Sequence, residues 1–310
     1  MGSIDIQLFA AHAVRHSAEM SSAPLVDSYD FNSLCAAVTA EDRRADLSDA
    51  VLRSGWENVV LETADWIYRF PRDDHVAFDR ELAILARLEG RLPAATPCVE
   101  WIGQRARFAA YRKLIGNAFD LATYLRASAG QRDAFASSLA EFLTAMHGSF
   151  DAAEIDRLGI PALGADSGDV PEPMNLNALP SHVRPAAAAV LAEHHRRWIA
   201  GSVPGPDVVL HNDFHLQNLV LAGPLGPVAG VWDFSCVVVG RPTFDLRYFE
   251  GDSIDLLTRI ASHYEWLAGR QIDVAAAITA NRREIIGDAI ETGTMSDLIK
   301  AVERWGDPHQ

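Results

Sequence analysis

The chain has 310 residues, 49% of them hydrophobic and 22% charged, an ordinary make-up for a globular protein with an ample core. Its 42 acidic and 27 basic residues leave a net charge of −15, which argues against nucleic acid as a partner and suits a cationic substrate or simple solubility. There is no apolar run of about 18 residues to span a membrane and no signal-peptide pattern, and Cys35, Cys98 and Cys236 lack CxxC spacing, so a cytoplasmic protein with free thiols is expected.

Ile4 to Met20 places apolar residues at Ile6, Phe9, Ala10, Ala13 and Val14, the spacing of an amphipathic helix. Ser21 to Pro24 reads as a linker and Phe31 to Val38 as a second helix. Together they form a helical extension over residues 1–45, placed either to pack on the strand-rich lobe beside it or to mediate self-association.

The pattern then turns to strands. Ala50 to Arg53 leads into the tight loop Ser54 to Asn58, and Val59–Glu62 and Trp66–Phe70 come next as a pair. Small residues at Ser54 and Gly55 allow backbone N–H groups to approach a phosphate; an ordinary hairpin turn needs the same residues. Asp79 to Leu88 is a helix with Leu82, Leu85 and Leu88 on one face. Pro93 and Pro97 break it, and Val99–Gly103 and Phe108–Gly116 read as two further strands.

From Asn117 the chain turns helical. Leu139, Phe142, Leu143 and Met146 make a buried stripe that ends at His147-Gly148, with His147 read as a structural histidine. Asp151 to Pro180 is rich in Gly and Pro and reads as a loop that shapes or covers a pocket. Arg184 to Ile199 is a helix whose His194-His195 pair, beside Arg196 and Arg197, reads as a solvated face.

The densest chemistry lies between Val208 and Asp245. An apolar strand, Val208–Leu210, opens onto His211-Asn212-Asp213-Phe214-His215-Leu216-Gln217-Asn218. A hairpin comes after it, Leu219–Leu221 and Val228–Trp232, and it delivers Asp233-Phe234-Ser235. Charged groups beside a buried sheet are expensive, and here they suit a site for divalent metal and phosphate. His211-x-Asp213-x4-Asn218 fits the kinase pattern H-R-D-x-x-x-x-N, and Asp233-Phe234-Ser235 fits D-F-G with Ser in third place. In that chemistry Asp213 orients the attacking hydroxyl, while Asn218 and Asp233 offer hard oxygen ligands to magnesium. His211 braces the loop. A rival reading makes His211, Asp213 and His215 metal ligands on one face of an extended segment.

These motifs resemble the aminoglycoside phosphotransferase family, over about Ser54 to Asp252, and most of all the branch that modifies the 2''-hydroxyl, whose loop also reads H-N-D-F. Macrolide phosphotransferases are similar too. The resemblance implies an α+β, protein-kinase-like fold of two lobes, 1–112 for nucleotide and 113–310 for catalysis and acceptor. It makes Ser54 and Asn58 part of the nucleotide loop. It puts Arg69 where the family has its nucleotide lysine, a departure, with Glu81 as its acidic partner. Lys113, Leu114 and Ile115 become the hinge beside the purine. Gly240-Arg241-Pro242-Thr243-Phe244-Asp245-Leu246 matches the family's G-x-P-x-x-D-L element, with Asp245 as a brace for the catalytic loop. His215, Glu250, Asp252 and Asp255 then border the acceptor; the three carboxylates equally suit a helix N-terminus. Ile254 to Leu267 and Ala275 to Trp305 complete a helical lobe.

The implied activity is transfer of the terminal phosphoryl group of ATP or GTP, with Mg2+, to a hydroxyl of an antibiotic, most simply an aminoglycoside. Within the same chemistry the acceptor could be a macrolide, a peptide or nucleoside antibiotic, or a metabolite such as choline or homoserine. The rival from another class is a non-catalytic nucleotide-binding regulator. Oligomeric state has no signal in the sequence.

Overall fold

A computed structural model describes residues 24–55, 57–72, 75–163, 174–200 and 207–305. The expected helix over Ile4–Met20, most of the linker after it, and the glycines and prolines between 164 and 173 lie outside these. The chain divides into two compact units. One holds residues up to His75 together with Glu100–Tyr111; the other holds Val76–Val99 and the chain from Arg112.

The first unit begins with α1 (Phe31–Glu41), whose start is set by Asp30 accepting the Ser33 N–H at 3.0 Å. Strands β1 (Val51–Ser54), β2 (Asn58–Glu62), β3 (Trp66–Pro71), β4 (Val99–Ile102) and β5 (Ala109–Arg112) form one sheet in the order β1-β2-β3-β5-β4. Alternation on β2 turns Val59 and Leu61 inward, against Tyr68, Phe70, Phe108 and Ala110. Leu34 and Val38 of α1 are fully buried in the same cluster, so this part of the N-terminal extension belongs to the core. β5 is shorter than the strand expected over 108–116, because the chain leaves the sheet at Arg112.

The second unit begins with α2 (His75–Leu88), four residues longer at its start than the periodicity indicates. Residues 76–99, expected in the first lobe, pack with this unit instead. Next come α3 (Leu121–Arg126), α4 (Ala129–His147) and α5 (Ala152–Leu158). The last of these corrects the expected loop over Asp151–Pro180. Asp151 and Glu154 form a capping box at its start, and Gly159 closes it at φ 61°. After α6 (Arg184–Ala200) the chain enters β6 (Val208–Leu210), β7 (Leu219–Leu221), β8 (Val228–Val231) and β9 (Val238–Gly240). The β6–β9 pair adds a strand that the hairpin pattern does not indicate, since its partner lies 28 residues or more along the chain. Four helices finish the unit, α7 (Phe249–Asp252), α8 (Ile254–Ala268), α9 (Val274–Thr292) and α10 (Met295–Trp305). The last two are expected as one stretch; Gly293, at φ 75°, ends α9.

The core of this unit is built on the α4 stripe. Leu139, Phe142, Leu143 and Met146 are all buried, packed with Leu256, Leu257 and Ile260 of α8 and with Phe214 and Phe234. His194 of α6 is also buried, contrary to the expected solvated pair, and burial lowers its pKa to about 4.

Candidate active site

The loop after β6 alternates between core and surface. His211, Phe214 and Leu216 point inward, while Asp213 and His215 each keep about a quarter of the side chain exposed. Phe214 stacks flat on Phe142 at 5.3 Å between centroids, and Phe234 tilts against His211 at 4.6 Å. The aromatic residues of both motifs thus anchor the loop, with Asp213 and His215 partly exposed and Asn218 buried.

The backbone is held in a costly shape. Among the described residues only Asn212 (φ 62°) and Asp233 (φ 65°) are non-glycine residues in the left-handed region, and each lies within a motif. Asp245 stabilises the first of them. Its Oδ1 accepts the Asn212 N–H at 2.6 Å, and its Oδ2 accepts the His211 N–H and His147 Nε2–H, both at 2.9 Å. His147 Nδ1 then accepts from Tyr264 at 2.8 Å. Burial alone would raise the Asp245 pKa, but the hydrogen bond from His147 and the other donors lower it, so the buried carboxylate is ionised.

His211 is a neutral brace. Its Nδ1 accepts the Asp213 N–H at 3.3 Å, so Nε2 carries the proton and donates to the Trp232 carbonyl at 3.0 Å. Burial lowers its pKa. With both ring nitrogens engaged, His211 has no lone pair for a metal, and the His211–Asp213–His215 metal reading is set aside.

Asp213 and Asn218 meet directly. Asn218 Nδ2 donates to Asp213 Oδ2 at 2.7 Å and to its carbonyl at 3.0 Å. That leaves the side-chain amide oxygen of Asn218, Oδ1, for a cation. Burial works against the charge on Asp213, yet the polar contacts of His215, His211 and Asn218 outweigh it, and its pKa is lowered. The hairpin brings the second carboxylate alongside. Leu219 pairs with Val231, and the ladder continues where the Trp232 N–H donates to the Asn218 carbonyl at 3.0 Å. Asp233 comes next, with Ser235 Oγ donating to its Oδ1 at 3.0 Å. An amide oxygen and a carboxylate at the end of one hairpin are hard oxygen donors of the kind that could hold magnesium. We expect Asp233→Asn to weaken nucleotide binding only when magnesium is present, which calorimetric titration with and without the metal measures; equal loss in both conditions would contradict the metal role.

The remaining expected residues fall on both units. In the first unit, Asn58, with its amide oxygen turned to Arg69, accepts from Nε at 3.1 Å and Nη2 at 2.7 Å. Arg69 is buried, so the cation is seated within the sheet. Ser54 accepts from Arg72 Nη2 at 2.6 Å, and Arg72 Nε bonds the Gly55 carbonyl at 3.1 Å. In the second unit Glu81 is buried on α2. Lys113, Leu114 and Ile115 come after β5; Ile115 is 92% exposed, and Gly230 leaves room for Leu114. Asn117 and Leu221 exchange backbone hydrogen bonds at 2.8 Å, which fastens this connector to β7.

Two of the expected acceptor carboxylates need correction. Glu250 accepts from Asn281 at 2.6 Å and from Arg282 Nε at 3.0 Å, tying α7 to α9. Asp255 accepts from Tyr124, Arg132 and Arg259 at 2.7–3.0 Å. Both are occupied within the fold. Asp252 is half-buried, and burial raises its pKa from 3.8 to about 6, against a smaller opposing effect of His215.

The loop has one support that the motifs do not reveal. Arg247, buried, donates to the Asn212 carbonyl at 2.6 Å, to the Phe244 carbonyl at 2.9 Å and to Glu284 at 2.6 Å. It also lies 4.1 Å from the Tyr248 ring centroid. An arginine directly after the D-L of the G-x-P-x-x-D-L element is the available signal.

A family model described as the phosphotransferase enzyme family matches residues 50–249. Among solved structures, the GDP and kanamycin complex of APH(2'')-IIIa is similar at a TM-score of 0.72 and 17% identity, over 87% of this chain and 97% of that one. The streptomycin–ATP complex of APH(2'')-IIa matches at 0.64 and 19%, over 87% and 96%. Macrolide 2'-phosphotransferase MphH from Brachybacterium faecium matches at 0.57 and 19%, over 89% and 99%. No curated protein matches the chain. The shared fold is α+β and protein-kinase-like, as expected.

Proposed function

The chain belongs to the phosphotransferase enzyme family and is a phosphotransferase with a hydroxyl acceptor, and from that premise we propose that it phosphorylates a cationic antibiotic, most simply an aminoglycoside, using ATP or GTP with Mg2+. The observation that carries the chemistry is the Asn218 Nδ2 to Asp213 Oδ2 contact at 2.7 Å, which joins the hydroxyl-orienting carboxylate to a metal ligand. Phosphoryl transfer depends chiefly on positioning and charge neutralisation, and Asn218 and Asp233 would hold a magnesium ion that would supply the neutralising charge. A non-catalytic regulator has no use for this pair. No helix among the described residues is long and apolar enough to cross a membrane; a cytoplasmic site of action is part of the proposal.

Asp252 supports a cationic acceptor. It comes after Glu250 in the acidic run, but its carboxylate makes no hydrogen bond or ion pair among the described residues. Asp252→Asn is expected to raise the acceptor KM about tenfold or more, one charge-assisted hydrogen bond being worth about 1.5–3 kcal/mol. Glu250→Gln should instead loosen α7 and α9 and lower thermal stability. Because the pKa of Asp252 is about 6, its charge is gained as pH rises through 6, so acceptor affinity should strengthen over that interval. Affinity should also weaken with ionic strength. An acceptor constant indifferent to both would remove the cationic acceptor and leave the phosphotransferase.

The deciding experiment incubates the protein with labelled ATP or GTP and a panel of aminoglycosides, macrolides, peptide and nucleoside antibiotics, choline and homoserine. Phosphorylation of a macrolide or of a neutral metabolite alone would overturn the proposed acceptor class.

A further inference from the structure

Two nitrogens face a single oxygen of Asp213, Asn218 Nδ2 as a hydrogen-bond donor and His215 Nε2 at ion-pair distance. Asn218 Nδ2 lies 2.7 Å from Oδ2, and His215 Nε2 lies 3.5 Å from the same atom. No described residue donates to Oδ1.

The orientation of the His215 ring is set by its other contacts. Nδ1 accepts the Gln217 N–H at 3.2 Å, capping the 3-10 turn Leu216–Asn218. A neutral imidazole that accepts at Nδ1 carries its proton at Nε2, the nitrogen facing Asp213. The ring also stands edge-on to Tyr248, 5.5 Å between centroids at 87°, and the Tyr248 hydroxyl is bonded to Glu284. Cap and aromatic edge both favour a ring placement in which Nε2 faces Asp213.

We propose that His215 is a positioning residue for phosphoryl transfer: its Nε2–H and Asn218 together hold Oδ2 of Asp213, so that Oδ1 is the oxygen presented to the acceptor hydroxyl. This rests on the hydroxyl-orienting role of Asp213 argued above. It differs from the expected role of His215 as an acceptor contact, because the polar atom of the ring is turned to the carboxylate. A carboxylate free to rotate would offer either oxygen, and misplacement of a reacting group by about 1 Å can cost on the order of a hundredfold in rate.

The two functions of the ring can be separated by substitution. His215→Gln places an amide N–H where Nε2–H lies but loses the cap. His215→Asn keeps a capping oxygen near Nδ1 but falls short of Asp213. His215→Ala loses both. The expected result is a kcat about tenfold or more below the parent for Ala and Asn, substantial recovery for Gln, and an unchanged nucleotide KM throughout. Recovery by Asn but not Gln would overturn the proposal in favour of capping. A raised acceptor KM with kcat held would overturn it in favour of an acceptor contact, and unchanged kinetics in all three would overturn it outright. Ring 15N shifts of His215 provide a readout independent of turnover: Nε2 protonated, Nδ1 bare, and both perturbed by Asp213→Asn. Shifts insensitive to Asp213→Asn would sink the contact itself. A parent protein inactive on every acceptor but with the expected shifts would instead fault the proposed function.

Discussion

Replacing Asp213 by Ala is expected to lower turnover by about a hundredfold or more, the usual worth of a positioned acid–base group. That is about 2.7 kcal/mol of transition-state stabilisation. The carboxylate is ionised and held at Oδ2 by Asn218, so its charge is ready before the acceptor arrives. Nucleotide affinity should be nearly unchanged, for a reason visible in the loop. Asn218 Nδ2 also donates to the carbonyl of residue 213 at 3.0 Å, and that bond survives the substitution. The amide therefore stays oriented, with its oxygen still available to a cation. Phe214 and His211 keep their places in the core, so the fold should be retained. Turnover and nucleotide titration on one preparation make the check; near-normal turnover would remove the assignment of Asp213.

The features legible in the sequence are the local ones. His211 to Asn218 is a run of eight residues whose inward and outward positions are set within one short loop, and the hairpin that carries Asp233 is bounded by glycine and proline. The α4 stripe is legible for the same reason, since four apolar residues at helical spacing announce a buried face. Helix α5 carries a local signal too, outweighed in the sequence by its surroundings: Asp151-Ala152-Ala153-Glu154 is a capping-box pattern inside a stretch rich in Gly and Pro. Long-range pairing is not legible. Arg247 and Glu284 are 37 residues apart, and Glu250 and Arg282 are 32 apart. Nothing in a single chain of letters says which carboxylate an arginine will meet. This is why Glu250 resembles an acceptor ligand: an acidic residue near a site and an acidic residue paired across two helices read identically until the partner is known.

Asp245→Ala should cause the largest loss of stability, about 3 kcal/mol or more, since three buried donors lose their acceptor at about 1–3 kcal/mol each. Its carboxylate is fully buried and receives three donors, the N–H groups of His211 and Asn212 and the ring of His147. Alanine leaves all three without an acceptor in the protein interior, and it releases Asn212 from a left-handed conformation that costs about 1–3 kcal/mol to hold. Asparagine should rescue only partly, since every group that faces Asp245 is a donor and an amide must turn its own NH2 toward one of them. The pH dependence has a definite sign. The folded-state pKa lies below the ordinary 3.8, so the stabilising contribution is complete above that value and is lost as pH falls through it toward the folded pKa. The stability difference between parent and Asp245→Ala should therefore be level near neutral pH and narrow in acid, as followed by denaturant titration at a series of pH values. A difference that widens on acidification would mean that Asp245 is held protonated, and the brace of the catalytic loop would then be a neutral hydrogen-bonding group in place of a buried charge.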